Sequence, residues 1–492
     1  MSLIQRFQHS MALNGSAPAC IQQGKIFGRQ GFYNMVCVFS KGLHDVGVRE
    51  GHTVGVALGQ TTEHLAMLLA IARLGALSLP IHPMSSGDAK RQLMKRFDAK
   101  WLVTGKMPSP IPADLGFEMV DLSQLQGPVP AAGLDFLDTW PSPDAPARIA
   151  LTSGTTGMPN AVLYSHAHWL SRIEKTSLSF DATTRLMPGN MSLTMGNITA
   201  FAALLAGGVV VFQKEGANSF AQTVDLYGVT HATLTPSAIP DIAAQIPSEG
   251  CAFPSLKELR FVGGALPDTW FKLAQAKFTP HIILPYGISE VGLISVASTK
   301  LLEQTPDQVG PCRPGVELQV VDPAGAVLPV GQSGELRVKI PHMPSGYYMN
   351  PERTREKFRD GWFYTSDIGS VSQDGLIRIE GRMDDRINLG GVKFFPERVE
   401  HVLNKHPLIK ESAVFTIADE TLGKKLVAML VPKTAGEVAK DLKAFCQENR
   451  LNEKTPKMFV FAPNLPRNAS GKLMRKNLPA ILQASMKAAK KK

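Results

Sequence analysis

Cysteine is scarce in this chain and forms no pattern. The five residues (Cys20, Cys37, Cys251, Cys312 and Cys446) are odd in number and far apart, with no CxxC pair or His-rich cluster beside them. That spacing supports neither a disulfide framework nor a zinc site. A reducing cytoplasm is the expected compartment. Long apolar runs are missing too: FAALLAGGVVVF at 201–212 falls short of the roughly 20 residues that a membrane-spanning helix needs. The opening MSLIQRFQHSMALNGS has no basic segment followed by an apolar stretch, so no signal peptide is expected. Aromatic residues are sparse in the basic C-terminal part and no nucleic-acid reading motif occurs, so nucleic acid is not an expected partner.

What is present describes a folded, multi-domain protein. A chain of 492 residues, 44% hydrophobic and 19% charged, is too long for one ordinary core and suits two or three. The net charge of +10 is unevenly placed. From Met383 onward Lys and Arg outnumber Asp and Glu by 21 to 11, whereas residues 1–382 balance at 31 each. Such asymmetry fits a polyanionic ligand, a nucleotide with several phosphates included, or a solvated lysine-rich surface ending in SMKAAKKK.

Over the first four hundred residues short β-branched runs alternate with helical patterns. TVGVALG (53–59) reads as a strand, EHLAMLLAIARLG (63–75) as a helix and ALSLPI (76–81) as the next strand. The rhythm recurs through GVVVF, HATLTP, LRFVGGA and HIILPYG. Repeated βαβ units predict an α/β body of parallel sheets covered by helices. Around 310–380 the short Gly- and Pro-punctuated strands GVELQVVDPAG, GELRVKI and GLIRIEGR predict a small antiparallel barrel or sheet. A compact α+β unit follows, with helix PERVEHVLNKH, strands ESAVFTIA and KLVAMLVP, and a helix near 436–450. The charged cluster Arg382–Asp385 is the expected boundary, giving domains 1–382 and 383–492.

The stretch TSGTTGMPN (152–160) has the composition of a phosphate-cradling loop between a predicted strand, ARIALT, and a helix beginning near His166. It is not a Walker loop, because no lysine follows its second glycine. Backbone N–H groups of such a loop form an anion-holding concavity, to which the hydroxyls of Ser153, Thr155 and Thr156 add donors. A Ser/Thr-rich surface turn is the bland alternative. Further punctuated stretches follow in order: VGGALPD (262–268), YGISEVG (286–292), GELRVK (334–339), WFYTSDIG (362–369), GRMDDRINLGGVKFFPERVE (381–400) and PRNASGKLMRK (466–476).

The set, its order and its spacing resemble the adenylate-forming superfamily of acyl- and aryl-CoA synthetases, luciferases and nonribosomal adenylation domains, over essentially the whole chain. The resemblance implies a large N-terminal domain and a small mobile C-terminal lid, with ATP, magnesium and coenzyme A as cofactors. It also implies two steps: a carboxylate attacks the α-phosphate of ATP to give an acyl-adenylate and pyrophosphate, then a thiol displaces AMP. Thr152, Ser153, Gly154, Thr155, Thr156 and Gly157 would cradle the phosphates. Gly264, Ala265, Tyr286, Gly287 and Ser289 would border the nucleotide, with the Tyr286 ring for adenine. Asp367 and Arg382 would hold the ribose. Glu290, with Thr155, would bind magnesium, which favours a single carboxylate plus phosphates and waters. Lys472 would bridge the carboxylate and the α-phosphate. Asp384 matches the hinge, and the paired Gly390 and Gly391 would let a thiol arm approach the backbone. Leu193, Thr194, Gly196, Gly263, Gly264 and Gly287 would line the acyl pocket.

Three departures stand out. Pro159-Asn160-Ala161 replaces the family's Pro-Lys-Gly, offering a neutral donor where a lysine would touch pyrophosphate. A slower first step or weaker ATP binding is expected, with a catalytically degraded nucleotide- or acyl-binding member as the rival reading. Ser366 replaces a common glycine, and MSLTMGN (191–197) lacks the usual aromatic-plus-histidine. No aspartate lies between Met191 and Thr199, which disfavours an amino-acid substrate. The stretches 191–198, 235–239, 262–266 and 286–294 carry no Lys or Arg. An uncharged aromatic or short-to-medium alkyl acid is therefore expected. Coenzyme A, or the phosphopantetheine of an acyl carrier protein, would be the acceptor.

Overall fold

The computed structural model describes residues 1–105, 116–152, 159–214, 216, 219–246, 252–305, 307–341, 343–389, 392–419, 423–434, 441–467 and 471–489. Two largely parallel sheets form the body. The first runs Glu118–Asp121, Ala99–Thr104, Thr53–Ala57, Leu77–Pro80, Pro146–Thr152 and Asn160–Ser165 in spatial order, antiparallel only at the last pair. The second has eight strands, with parallel members inside and an antiparallel neighbour at each edge, Gly292–Ser298 and Lys25–Gly28. Every residue of Thr53–Ala57 is buried, as expected of a strand covered on both faces. Helix Thr62–Arg73 buries all its residues but Glu63, because it is apolar on every side and lies in a core shared by residues from both sheets. The Thr61 hydroxyl caps its N-terminus by accepting from the His64 N–H at 3.2 Å.

One local difference from the sequence reading concerns the candidate phosphate loop. Thr152 pairs with Asn160 across two antiparallel strands, and the helix begins only at His166, after strand Asn160–Ser165. NAVLYS packs its apolar residues into the sheet before the Ser165 hydroxyl caps the helix. The returning chain thus supplies a strand, and a helix N-terminus does not directly follow the loop.

An antiparallel sheet of Gln308–Pro311, Leu376–Arg382, Trp362–Val371, Gly334–Lys339 and Glu317–Val321 follows, with Phe358–Arg359 paired to its centre. Trp362–Val371 carries Asp367 next to a backbone anomaly: Ser366 has φ +62°, a conformation that favours glycine. Its amide donates to Glu335 Oε1 at 3.0 Å and its hydroxyl bonds the Lys357 ammonium, which fixes the turn.

Beyond Arg382 a short 3₁₀ turn, Met383–Asp385, leads to the paired strands Ile387–Leu389 and Val392–Phe394. The last sheet pairs Ile409–Asp419 with Gly423–Pro432 antiparallel and adds Met458–Phe461 in parallel. Val399, Leu403, Val414, Leu426 and Cys446 form a core of this unit's own. Arg475 locks its C-terminal end: it bonds the Glu400 carboxylate, Glu397 Oε1 at 3.0 Å and the Val414 carbonyl at 2.8 Å. No helix among the described residues is long and apolar enough to cross a membrane.

Candidate active site

Among the described residues, several sequence-predicted ones lie where the C-terminal unit meets the carboxyl ends of the body's strands, the usual ligand face of an open α/β sheet. Thr152 ends Pro146–Thr152, and Gly263, Gly264 and Ala265 lie just past Glu258–Phe261. Tyr286 and Gly287 lie near the end of Ile282–Ile288, at a bulge. A Cβ on Gly287 would stand 2.5 Å from the Gly292 carbonyl oxygen, so only glycine lets the two strands close there. Leu193 precedes helix Thr194–Leu205, whose first turn holds Thr194 and Gly196. Ser153, Gly154, Thr155, Thr156 and Gly157 fall outside the described residues, as do Gly390 and Gly391.

Asp367 is the electrostatic centre. It and Arg382 are cross-strand partners, and Arg382 Nη1 donates to Asp367 Oδ1 at 3.1 Å. Its other oxygen accepts from the Tyr286 hydroxyl at 2.6 Å. Burial, then the Asp367 charge, drives the Tyr286 hydroxyl well above its usual range. The buried Nε of Arg382 has no hydrogen-bond partner among the described residues, a vacant donor beside a carboxylate with spare lone pairs. A polyhydroxylated ligand with acceptor oxygens would satisfy both. Asp384, two residues further along the chain, has Oδ2 3.9 Å from Arg382 Nη2.

Glu290 is buried, and burial raises its pKa. Hydroxyls oppose the shift: Tyr347 donates to Oε1 at 2.7 Å and Thr152 bonds it too. No cation among the described side chains forms an ion pair with it. A buried carboxylate held by hydroxyls and a backbone N–H, with Arg382 acting on it only through its field, is a donor set that fits a hard divalent cation such as magnesium. Behind it, the Tyr164 hydroxyl donates to the Ser289 carbonyl, and Arg172 Nη1 reaches the same oxygen at 3.2 Å. Neither Tyr347, Tyr164 nor Arg172 lies in a stretch singled out from sequence. Each is joined to the site over a chain separation of 57 to 125 residues, with no local pattern to mark it.

Lys472 comes from the other side. Gly471, at φ +76°, sits so close to Thr235 that a Cβ there would come within 2.8 Å of the threonine methyl. Lys472 is thereby held where burial and then Arg382 lower its pKa, while Asp385, Asp367 and Glu397 oppose the shift. A second contact between the units joins Lys410 Nζ to Asp241 Oδ1 at 2.6 Å.

A parallel-sheet body whose buried carboxylates face a lysine carried by a separate small unit is the architecture of the adenylate-forming enzymes. The chain belongs to the AMP-binding enzyme family: the family model matches residues 7–348, and the AMP-binding enzyme C-terminal domain matches 398–472. Among curated relatives, oxalate–CoA ligase of Arabidopsis thaliana is 26% identical over 464 residues, covering 89% of this chain and 90% of that one. The 2-succinylbenzoate–CoA ligase of Bacillus cytotoxicus is 28% identical over 452 residues, with 89% and 90% covered. ATP-bound MatB from Rhodopseudomonas palustris shares the fold, with a TM-score of 0.85 at 23% identity over 98% of this chain and 99% of its own. The protein is an acid–thiol ligase, joining an acyl or aryl acid to coenzyme A through an acyl-adenylate.

Proposed function

We propose that the site performs both half-reactions with the residues gathered around Asp367, and that the chain divides at Arg382–Asp385 into a body and a mobile lid. The observation that carries this reading is the placement of the half-buried Lys472, from the C-terminal unit, within electrostatic reach of Asp367 and Arg382. Asp367 accepts from the ribose hydroxyls, the Arg382 Nε–H donates to the same nucleotide, and the Tyr286 ring stacks on adenine. Thr152 and the loop through Gly157, with Thr155 and Thr156, hold the phosphates. A carboxylate oxygen of the acid attacks the α-phosphorus, and the bond to the bridging oxygen breaks as pyrophosphate leaves. Lys472 stabilises the charge on the α-phosphate oxygens and aligns the acid. Glu290 and Thr155 would hold magnesium, which neutralises phosphate charge when bound.

In the second step the thiol sulfur attacks the acyl carbon, its proton passes to solvent, and AMP leaves. Rotation about Asp384 would withdraw Lys472 and present Gly390 and Gly391 to the thiol arm. Coenzyme A is the acceptor in this reading, and a phosphopantetheine carrier protein is the alternative, suited by the basic C-terminal unit. Cys20, Cys37, Cys312 and Cys446 are all free thiols, which suits the cytoplasm.

For the acid, the pocket-bordering stretches favour an uncharged aromatic or short-to-medium alkyl tail. A specific observation supports a second reading. Arg172 reaches the Ser289 carbonyl from a helix outside those stretches and forms no ion pair among the described residues. Both relatives named above act on acids with a second carboxylate. ATP–pyrophosphate exchange across benzoates, C4–C12 fatty acids and dicarboxylates, followed by thioester detection with CoA, tests all of this. Exchange with monocarboxylates alone supports the first reading and exchange with dicarboxylates alone the second. Lys472→Ala should abolish exchange yet spare thioester formation from supplied acyl-adenylate; loss of neither would overturn the assigned role.

A further inference from the structure

The triphosphate of ATP brings several negative charges to a loop whose own sequence contains no cation. Asn160 cannot supply one. Its Oδ1 accepts from Asn350 Nδ2 at 3.0 Å, and Asn350 Oδ1 in turn caps helix Pro351–Lys357 by accepting from the Arg353 N–H at 3.1 Å. The Asn160 side chain is thus tied through its Oδ1 to the residue that caps this helix. Arg353 is no substitute, because its guanidinium is paired with Glu356.

We propose that Arg96 provides the missing charge and contacts the β- and γ-phosphates of ATP, and hence the departing pyrophosphate. Arg96 is the last residue of helix Gly87–Arg96, and its Nη1 donates to the Pro159 carbonyl at 2.8 Å. Pro159 immediately precedes Asn160, at the point where the chain leaves the candidate phosphate loop. The guanidinium lies 5.2 Å from the centre of the Phe97 ring. Phe97 stacks on Tyr348 at 6.0 Å, and the Tyr348 N–H donates to the Ala161 carbonyl at 2.7 Å. Arg96 is therefore fixed to both sides of Asn160 through its own bond and an aromatic pair. No carboxylate among the described residues forms an ion pair with it, and the bond to Pro159 uses one of its five N–H donors. A half-buried, oriented and unneutralised guanidinium suits phosphate oxygens better than a mobile ammonium does.

The proposal rests on the loop being an ATP phosphate loop, and the test separates the two ideas without needing the natural acid. Equilibrium affinities for Mg·ATP, pyrophosphate and AMP are measured for the full chain, Arg96→Gln, and Arg96→Gln/Asn160→Lys. Arg96→Gln is expected to weaken ATP and pyrophosphate by about tenfold, the scale of one charge-assisted hydrogen bond, and to leave AMP unchanged. Asn160→Lys in that background should restore most of the loss, which a merely structural role for Arg96 would not allow. If the unaltered chain binds no ATP, the loop assignment itself fails. If it binds ATP and Arg96→Gln binds it equally well, or loses AMP in proportion, the proposal is overturned. Thermal unfolding of each variant shows whether any loss reflects misfolding, and Arg96→Lys, expected to keep part of the ATP affinity, gives a second variant should Arg96→Gln misfold.

Discussion

The Tyr286 hydroxyl and the Asp367 carboxylate share a 2.6 Å hydrogen bond across 81 residues of sequence, while Arg382 holds the opposite carboxylate oxygen. The tyrosine therefore orients an acid as well as offering a ring. Tyr286→Phe keeps the ring and removes the bond. It should raise KM for ATP by about tenfold, consistent with the loss of a hydrogen bond to a charged group. Steady-state kinetics at saturating acid would measure it, and an unchanged KM would show that Arg382 alone suffices to orient Asp367.

In the proposed role, Glu290 should make the first half-reaction sensitive to acid. Burial raises its carboxyl pKa, and the Tyr347 hydroxyl holds it partly down. On the proposed role the ionised form would hold magnesium, so kcat/KM for Mg·ATP should fall as pH drops through the folded-state pKa. Tyr347→Phe removes an opposing influence and should move that acid limb to higher pH by up to about one unit. A pH profile unchanged by the substitution would argue against Glu290 as the titrating group.

Ser366 adopts a left-handed backbone beside Asp367, with φ +62°. A non-glycine residue there costs on the order of 1 kcal/mol. Ser366→Ala keeps that cost and loses the Lys357 bond, whereas Ser366→Gly loses the bond but relieves the backbone. The glycine variant should be the more stable of the two by about 1 kcal/mol, read from denaturant midpoints.

His64 and His166 are buried, and burial lowers each pKa to about 4. Because the folded values lie below the unfolded one, near 6.5, the stability they allow is complete above that pH. It is lost progressively as pH falls toward 4. Each histidine accounts for a loss on the order of 3 kcal/mol at full extent. Neither His166 ring nitrogen has a hydrogen-bond partner among the described residues, so His166→Phe should flatten the decline between pH 7 and 5. Urea unfolding at those two pH values would reveal it.

Much of this was legible from the chain. The βαβ rhythm reads directly as strands such as Thr53–Ala57, buried along its whole length, and His231–Leu234, buried at its centre. The punctuated stretches located Asp367, Arg382, Glu290 and Lys472, and the fold brings Asp367, Arg382 and Lys472 into one neighbourhood. The pairing of those residues with others was not legible. Tyr347 beside Glu290 and Asn350 beside Asn160 are tertiary contacts, 57 and 190 residues apart, between side chains of ordinary appearance. The helix near His166 was legible, but strand Asn160–Ser165 before it was not, because NAVLYS is too short to display a period of its own.

The contact of Gly471 with Thr235 has a kinetic corollary. Lys472 is anchored one residue away from a backbone pressed against the body, and Arg475 ties the same segment to Glu397 and Glu400 in the C-terminal unit. On the proposed lid motion, withdrawal of Lys472 would require the unit to part from Thr235 and Asp241 as one piece, an event on the microsecond-to-millisecond scale. The interval between making the adenylate and consuming it would then be set by the strength of an interface, and substitutions at Thr235 or Asp241 should alter turnover without touching any reacting atom.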